Sequence, residues 1–231
     1  MSCRESVKAA VKVTLTGPDG KVLKVIEGEG PDPFSGTLIT IIQDTIYSPA
    51  DITILYDPFG SSYYFDLVNP SPRTSLGYLI PGFCLTDCPN AGSTPPNGPG
   101  MWLFSGYPDI SYVGGAAFYE YWSLSPSLFI SGLSYSPLIE DNDYTHPSSP
   151  GDIVYYYINA EQDITNTLSS PVNVYTIVLV GAVYGSFSAS PVYLPITYYV
   201  FSPPIVFSPG VTMTVSVTIN FPVGTAIAVW W

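Results

Sequence analysis

Hydrophobic and polar residues alternate most regularly in residues 211–221, where every second position is apolar and the positions between carry Thr, Ser or Asn. Successive side chains of a β-strand point to opposite faces, so this period of two predicts a strand with one buried face. The other face is expected to be wet or to contact a neighbouring molecule. The turn sequence Ser208-Pro209-Gly210 marks the start of the strand.

A hairpin is predicted near the N-terminus. Residues 11–16 alternate in the same way, Gly17-Pro18-Asp19-Gly20 is a strong turn signal, and residues 21–26 form the expected returning strand. Residues 28–33 are rich in Gly, Pro and acidic side chains, which breaks the pattern. We therefore expect a basic hairpin module in residues 1–30, ahead of a main body in residues 31–231.

Short apolar or aromatic runs recur along the rest of the chain between turn residues. Several short strands at such spacing predict an all-β fold, an antiparallel β-sandwich rather than a βαβ fold. Residues 37–46 fit either a strand or a short helix, and long irregular loops are expected at 81–100 and 134–151. The body holds one sandwich, or two with a boundary near 134–151. The further predicted strands are 52–56, 62–68, 76–80, 101–104, 116–124, 128–133, 153–160, 172–183, 192–201 and 226–231.

Residues 172–201 carry no charge and could suggest a membrane span. Their apolar core, 174–183, is too short to cross about 30 Å of hydrocarbon as a helix. Serines and prolines follow it directly. A pair of buried strands is predicted instead, with no transmembrane span.

Charged residues make up only 10% of the chain, against about 25% in ordinary globular proteins. The surface must therefore be built from the hydrogen-bonding groups of Ser, Thr, Asn and Tyr. A protein with few ion pairs loses little stability when its carboxylates are protonated, so tolerance of acid is one interpretation. A Tyr- and Ser-rich extracellular surface at neutral pH is the other.

The formal net charge is −12, and five of the six basic residues lie in the first 24 positions. Nucleic-acid binding by the main body is not expected, because neutralising phosphates requires clustered cations. The basic start either contacts an acidic partner or forms one solvated strand face. Candidate assembly residues are Lys8, Lys12, Lys21 and Lys24, together with the aromatic pair Trp230 and Trp231 at the other end.

Catalytic chemistry is not predicted. A Ser-His-Asp or Cys-His mechanism would need His146, the one histidine, and no G-x-S-x-G elbow accompanies it. Glu140, Asp141 and Asp143 could ligate calcium, but the calcium-loop pattern is missing, and a solvated acidic loop is the favoured interpretation. No cofactor is expected.

Three cysteines are present, at positions 3, 84 and 88. Cys84 and Cys88 could close a tight local disulfide loop in an oxidising setting, which would leave Cys3 unpaired. Two thiols in a surface loop are the alternative. A metal site would need further Cys or His ligands nearby in the chain.

The opening VKVTLTGPDGKVLKVIE and the closing SPGVTMTVSVTINF, with the Tyr-, Pro- and Ser-rich body between them, resemble virion structural proteins of archaeal viruses. Most similar in character are β-sandwich or jelly-roll surface proteins, such as turret or penton-associated capsid proteins of icosahedral viruses from hot acidic springs. The resemblance is one of style and carries no binding residue across. It implies a jelly-roll-like fold, symmetric oligomerisation, a basic hairpin as the anchoring end, and an outward part that contacts a host receptor or glycan.

These features together predict a non-enzymatic structural component of a virus particle, exposed to the extracellular medium. Residues 1–10 contain no apolar segment of the kind found in secretory signals, and assembly in the cytoplasm followed by release accounts for that. The expected partners are further copies of the chain and other virion proteins. The alternative is a subunit of an extracellular archaeal filament or surface layer, in which residues 211–221 or 226–231 complete a neighbour's sheet. A carbohydrate-binding or hydrolytic β-sandwich is the third interpretation.

Overall fold

The computed structural model describes residues 8–29, 52–66, 83–86, 93–112, 120–144, 153–183 and 191–225. Antiparallel strands hold 62% of the described residues and no α-helix occurs among them, so the protein is all-β as predicted. A single 3-10 turn, Pro126–Leu128, is described beside the strands. The strands are β1 Lys8–Thr16, β2 Val22–Glu29, β3 Ile52–Tyr56, β4 Ser62–Asp66, β5 Phe83–Cys84, β6 Gly100–Phe104, β7 Asp109–Tyr112, β8 Glu120–Ser123, β9 Ser134–Tyr135, β10 Ile139–Tyr144, β11 Ile153–Thr165, β12 Val172–Val183, β13 Val192–Phe207 and β14 Thr212–Thr225.

The first sheet has the strand order β10-β11-β14-β1-β2, and β9 pairs with β11 beyond the end of β10. The strand predicted at 211–221 is confirmed as β14, which pairs antiparallel with β1 on one side and β11 on the other. The expectation that this strand completes a neighbour's sheet is wrong, because both of its hydrogen-bonding edges are already occupied. The second candidate for that role, 226–231, lies outside the described residues.

The N-terminal hairpin is confirmed, but not as a separate module. The backbone N–H of Gly20 donates to the Gly17 carbonyl at 2.9 Å, and Gly20 adopts the left-handed φ of 78° that the turn requires. β1 lies inside the first sheet, and its Val11 and Val13 are buried in the main core. The hairpin therefore belongs to the sandwich, because β1 fills the place between β14 and β2.

β12 is the central strand of the second sheet. It pairs with β13 on one side, and with β5 and β6 one after the other on its second side. The prediction of a buried strand at 172–183 is confirmed with the same bounds. The part of the chain that the structure describes holds no helix with the length and hydropathy of a membrane span.

The two sheets pack face to face around one hydrophobic core. Inward side chains of β1, β11 and β14 contact those of β6, β12 and β13, so these two sheets form one sandwich. β3 with β4 and β7 with β8 form two further two-stranded sheets, and the division of the body into one or two sandwiches stays a prediction. Jelly-roll connectivity stays a prediction. Representative core residues are Val11, Val13, Leu103, Ile158, Ala160, Ile177, Leu179, Leu194, Phe207, Met213, Val215 and Val217.

Two local predictions are wrong. The acidic segment expected as a loop within 134–151 contains β9 and β10, which pair with β11 at the edge of the first sheet. An edge strand with one wet side can be almost wholly polar, so it lacks the apolar period that marks interior strands. Residues 128–133, expected as a strand, follow a 3-10 turn and contribute one bridge, between Phe129 and Phe104. The predictions at 37–46 and 76–80 lie outside the described residues.

A second cluster of buried side chains covers the outer face of the second sheet. Trp102 and Phe104 project there from β6, and Phe59 and Phe129 pack on them with ring centroids between 5.6 and 6.3 Å apart. The turn that carries Phe59 is held by Asp57, whose Oδ1 accepts from the backbone N–H groups of Phe59 at 2.9 Å and Ser61 at 2.8 Å. The second sheet is thus buried on both faces, which explains the almost continuous apolar run of β12.

One buried side chain links the two sheets. Gln162 is 3% exposed, and its Oε1 accepts from the Met101 N–H at 2.7 Å while its Nε2 donates to the Ser136 carbonyl at 2.8 Å. Gly100 has a φ of 145°, and a Cβ there would lie 2.8 Å from the same Gln162 Oε1. The Gln162 amide therefore gives a buried hydrogen-bond partner to the Met101 N–H of β6 and to the Ser136 carbonyl, which follows β9.

We expect Gln162→Leu to lower the free energy of unfolding by about 2 to 4 kcal/mol, because the Met101 N–H and the Ser136 carbonyl lose their buried partner. Glu161→Leu is the matched control: the neighbouring side chain is exposed, and its replacement should change stability by less than about 0.5 kcal/mol. Urea unfolding followed by circular dichroism measures both. Equal effects for the two variants would contradict a structural role for the Gln162 amide.

Replacing each of two buried threonines with valine is expected to change the free energy of unfolding in opposite directions. Thr176 is fully buried and its Oγ1 donates to the Gly106 carbonyl at 2.7 Å, whereas Thr197 is 1% exposed and its Oγ1 has no hydrogen-bond partner. Thr197→Val should raise the free energy of unfolding by about 1 kcal/mol and Thr176→Val should lower it by about 1 to 2 kcal/mol. The same denaturation experiment tests the pair, and a loss of stability in both variants would show that the Thr197 hydroxyl is satisfied in solution.

Candidate functional site: the outer face of the first sheet and its edge

The outer face of the first sheet is lined by small hydrogen-bonding side chains. They follow from the alternation seen in the sequence, because every residue between two core positions of β1, β11 or β14 points away from the core. We call this surface the hydroxyl face. Its hydroxyl and amide groups belong to Thr14, Thr16, Asn159, Thr165, Thr212, Thr214, Ser216 and Thr218, and its charged side chains are Lys12, Glu161 and Asp163.

Side-chain hydrogen bonds cross between β11 and β14 on this face. Thr165 Oγ1 lies 2.9 Å from Thr212 Oγ1, and Thr214 Oγ1 donates to Asp163 Oδ1 at 2.5 Å. Asn159 Oδ1 accepts from Ser216 Oγ at 3.3 Å and from Thr218 Oγ1 at 3.0 Å. Such cross-strand pairs order the side chains before any partner binds. Apart from Asp163, the side chains that make these hydrogen bonds are hydroxyls and an amide.

β2 is the last described strand on one side of the first sheet, and its exposed side chains include apolar ones. In the described part of the chain β2 pairs on one side only, with β1. Val22 is 54% exposed, Leu23 57% and Val25 49%. The register between β1 and β2 shifts where Leu15 pairs with Lys24 and Thr16 pairs with Val22, so Leu23 is the extra residue of a β-bulge. We call β2, with Lys21 before it, the β2 edge.

The β2 edge also carries charge of both signs. Lys21 and Lys24 are exposed at its start, and Glu27 is exposed near its end. Glu27 Oε1 lies 3.1 Å from Lys12 Nζ on the neighbouring strand. Both side chains are more than half exposed, at 66% and 57%, so water screens this ion pair and it adds little stability.

A shallow open depression lies where the hydroxyl face approaches the β2 edge. Its lining includes Ala10, the ion pair of Lys12 and Glu27, and the hydroxyls of Ser216 and Thr218. The small side chain of Ala10 leaves room between its larger neighbours. The face is thus continuous from the hydroxyl groups to the charged edge.

The structure brings part of the predicted assembly set together. Lys12, Lys21 and Lys24 are all exposed on the hairpin, around the β2 edge. The side chain of Lys8 and the pair Trp230 and Trp231 lie outside the described residues. The exposed valines and leucine of β2 were not singled out from the sequence, although the run Val22-Leu23 interrupts strict alternation and was a usable signal.

Of the acidic residues considered as calcium ligands, Glu140 and Asp141 have described side chains and point apart. Glu140 Oε2 accepts from Thr86 N at 3.3 Å and from Thr86 Oγ1 at 2.9 Å, while Asp141 is exposed. These two residues are neighbours on β10, so their side chains point to opposite faces. The described residues contain no group of three or more His, Cys, Asp or Glu side chains placed to hold a metal. The side chain of Asp143 and His146 lie outside them.

Cys84 is disulfide-bonded and almost fully buried, at 1% exposure. It lies on β5, which pairs with the end of β12. Cys88 lies outside the described residues, so its pairing with Cys84 stays a prediction.

No protein-family model, curated protein or solved structure matches this chain.

We expect the protein to stay folded near pH 3, because most contacts of the hydroxyl face are neutral and the Lys12–Glu27 pair is exposed. The midpoint of acid unfolding, followed by circular dichroism, should lie below about pH 4. A wild-type midpoint above about pH 4 would contradict the expectation.

Proposed function

We propose that this chain is a structural component of a virus particle, a capsid or surface-projecting protein exposed to the extracellular medium. The observation that carries the proposal is the pairing of an ordered hydroxyl face with an exposed apolar edge, where Val22, Leu23 and Val25 are each about half exposed. Apolar side chains grouped on a polar-rimmed surface mark sites of protein–protein contact. A subunit that repeats in a particle needs such a contact on every copy.

The two parts of the surface suit different tasks in assembly. The hydroxyl face offers many directional hydrogen bonds whose geometry is set in advance, because Asn159 and Thr165 already hold their neighbours on β14. The β2 edge offers apolar area, and its backbone groups on the side away from β1 pair with none of the described strands. Interfaces between subunits commonly combine an apolar centre with a polar rim.

Three of the described carboxylates make hydrogen bonds within the fold, which supports a structural role. Asp57 holds a turn, Glu140 holds Thr86, and Asp163 accepts from Thr214. Each of these groups is engaged by its own fold. We therefore propose a non-enzymatic protein without a cofactor, whose partners are further copies of the chain and other virion proteins.

The class of particle rests on the sequence resemblance to archaeal-virus surface proteins, with host receptor or glycan contact as part of the same proposal. The second candidate is a subunit of an extracellular archaeal filament or surface layer. The exposed β2 edge favours it to the extent that strand pairing between copies would serve a filament equally well. The hairpin of β1 and β2 is less suited to act as a separate anchor of the chain in a particle, because β1 is an interior strand of the first sheet.

Density-gradient purification of particles from the source culture, with quantitative mass spectrometry, tests the proposal. We expect the chain to co-sediment with capsid proteins at a fixed ratio. An amine-reactive reagent should label Lys21 and Lys24 in the free chain, where they are exposed, and much less in intact particles, where the proposed contact covers the β2 edge. The dissociated chain serves as the labelled control. Recovery of the chain in filaments that lack capsid proteins would overturn the virion proposal and support the second candidate.

A further inference from the structure

We propose that the depression on the outer face of the first sheet binds a neutral sugar residue of a glycan. Lys12 and Glu27 lie at one end of it, and the hydroxyls of Ser216 and Thr218 lie along its β14 side. The inference rests on the proposed function, of which glycan contact is a part, and it names the place and the chemical class of the ligand. The binding itself needs only the isolated chain.

The depression exists because small residues meet on two neighbouring strands. Ala10 is exposed on the outer face of β1, opposite Thr218 and two positions from Lys12. Gly28 on β2 adds no side chain, and a Cβ there would collide with the hydroxyl of Tyr199, which supports the floor from the second sheet. The space measures about 460 Å³ and is open to solvent. This volume lies in the range of small-molecule sites, roughly 300 to 1,000 Å³.

The groups around the depression are set to receive hydroxyl groups. Asn159 Oδ1 accepts from Ser216 Oγ at 3.3 Å and from Thr218 Oγ1 at 3.0 Å. Each hydroxyl thus gives its proton to Asn159 and keeps its oxygen lone pairs for a ligand. The Lys12 ammonium has three N–H donors, and its ion pair with Glu27 leaves others to bind a ligand oxygen. A sugar hydroxyl both donates and accepts, so it matches this mixture.

The charges of the site favour a neutral ligand over an ionic one. Lys12 Nζ lies 3.1 Å from Glu27 Oε1, so the two charges offset one another. A phosphate or a nucleic acid would need clustered cations. A calcium ion would need six or more oxygen ligands, and Glu27 is the one carboxylate among the described residues that line the depression. A polyhydroxyl compound is the class that uses both partners of the pair without separating them.

Binding of a single sugar is expected to be weak, with a dissociation constant of about 1 mM. The depression is open, and its described lining holds no aromatic side chain that could stack on a sugar ring. In a particle, many copies of the site would contact one glycan-covered surface together. Their combined affinity then greatly exceeds that of one site.

A titration of the isotope-labelled full chain with methyl α-mannoside, followed by amide chemical shifts, tests the site. We expect concentration-dependent shifts that centre on residues 10–12, 27–28 and 216–218. Glucuronate and glucosamine serve as an acidic and a basic probe of similar size. Both should bind no more tightly than the neutral sugar, because the ion pair already offsets its own charges.

Two substitutions test the lining. Ala10→Leu places a larger side chain in the depression and should weaken binding by at least about tenfold. Lys12→Met removes the donor and should weaken binding by about two- to tenfold, the loss expected for one hydrogen bond. Ser169→Leu is the matched control, since it adds leucine at an exposed position between β11 and β12. It should bind like the wild type, and circular dichroism should show every variant folded.

Three results would overturn the site: no shift in the named residues at the highest soluble sugar concentration, unchanged binding by both folded variants, or tighter binding of either charged probe. A chain found in virus particles that shows no sugar binding would overturn this inference and leave the proposed function standing. A chain that binds the sugar and is absent from particles would do the reverse.

Discussion

Burial of the inward side chains between two antiparallel sheets is the interaction on which the rest of this structure depends. β1, β11 and β14 hide their apolar positions against β6, β12 and β13, and each buried aliphatic side chain contributes roughly 1.5 to 3 kcal/mol. The core joins the start of the described chain to its end, because β1 and β14 are neighbours. Placing the hairpin outside the sandwich would expose Val11 and Val13.

In this apolar interior a buried polar group needs a hydrogen-bond partner, because leaving it without one costs free energy. Gln162 supplies such a partner between the sheets, and Asn166 supplies one where the chain turns, since its Nδ2 donates to the Phe207 carbonyl at 2.7 Å and its Oδ1 accepts from Leu168 N at 2.9 Å. Among the described residues Thr197 and Tyr135 are exceptions, each with a buried hydroxyl that lacks a hydrogen-bond partner. The interior is therefore held by a few specific amides rather than by buried ion pairs.

The same alternation that builds the core also makes the proposed contact surface. Side chains on the outer side of β14 are hydroxyls and an amide, and β11 adds Asn159 and Thr165 beside two carboxylates, Glu161 and Asp163. The charges that remain near the hairpin are ordered along β2, basic before acidic. The hydroxyl face and the β2 edge lie on one sheet, which lets a single rigid body contribute both to an assembly.

Local pattern determined the all-β class, the strands at 52–56 and 172–183, the hairpin turn at Gly17–Gly20 and the wet face of residues 211–221, because side-chain periodicity and turn chemistry act over a few neighbouring residues. Of the candidate site, the sequence indicated Lys12, Lys21 and Lys24 but not the exposed apolar side chains beside them. Tertiary structure alone decided that β14 is interior, that β2 is an edge, that the acidic segment 139–144 is a strand and that Gln162 joins the sheets. These features depend on which distant segments bury one another, and nothing in the period of a single strand states which neighbour it will have.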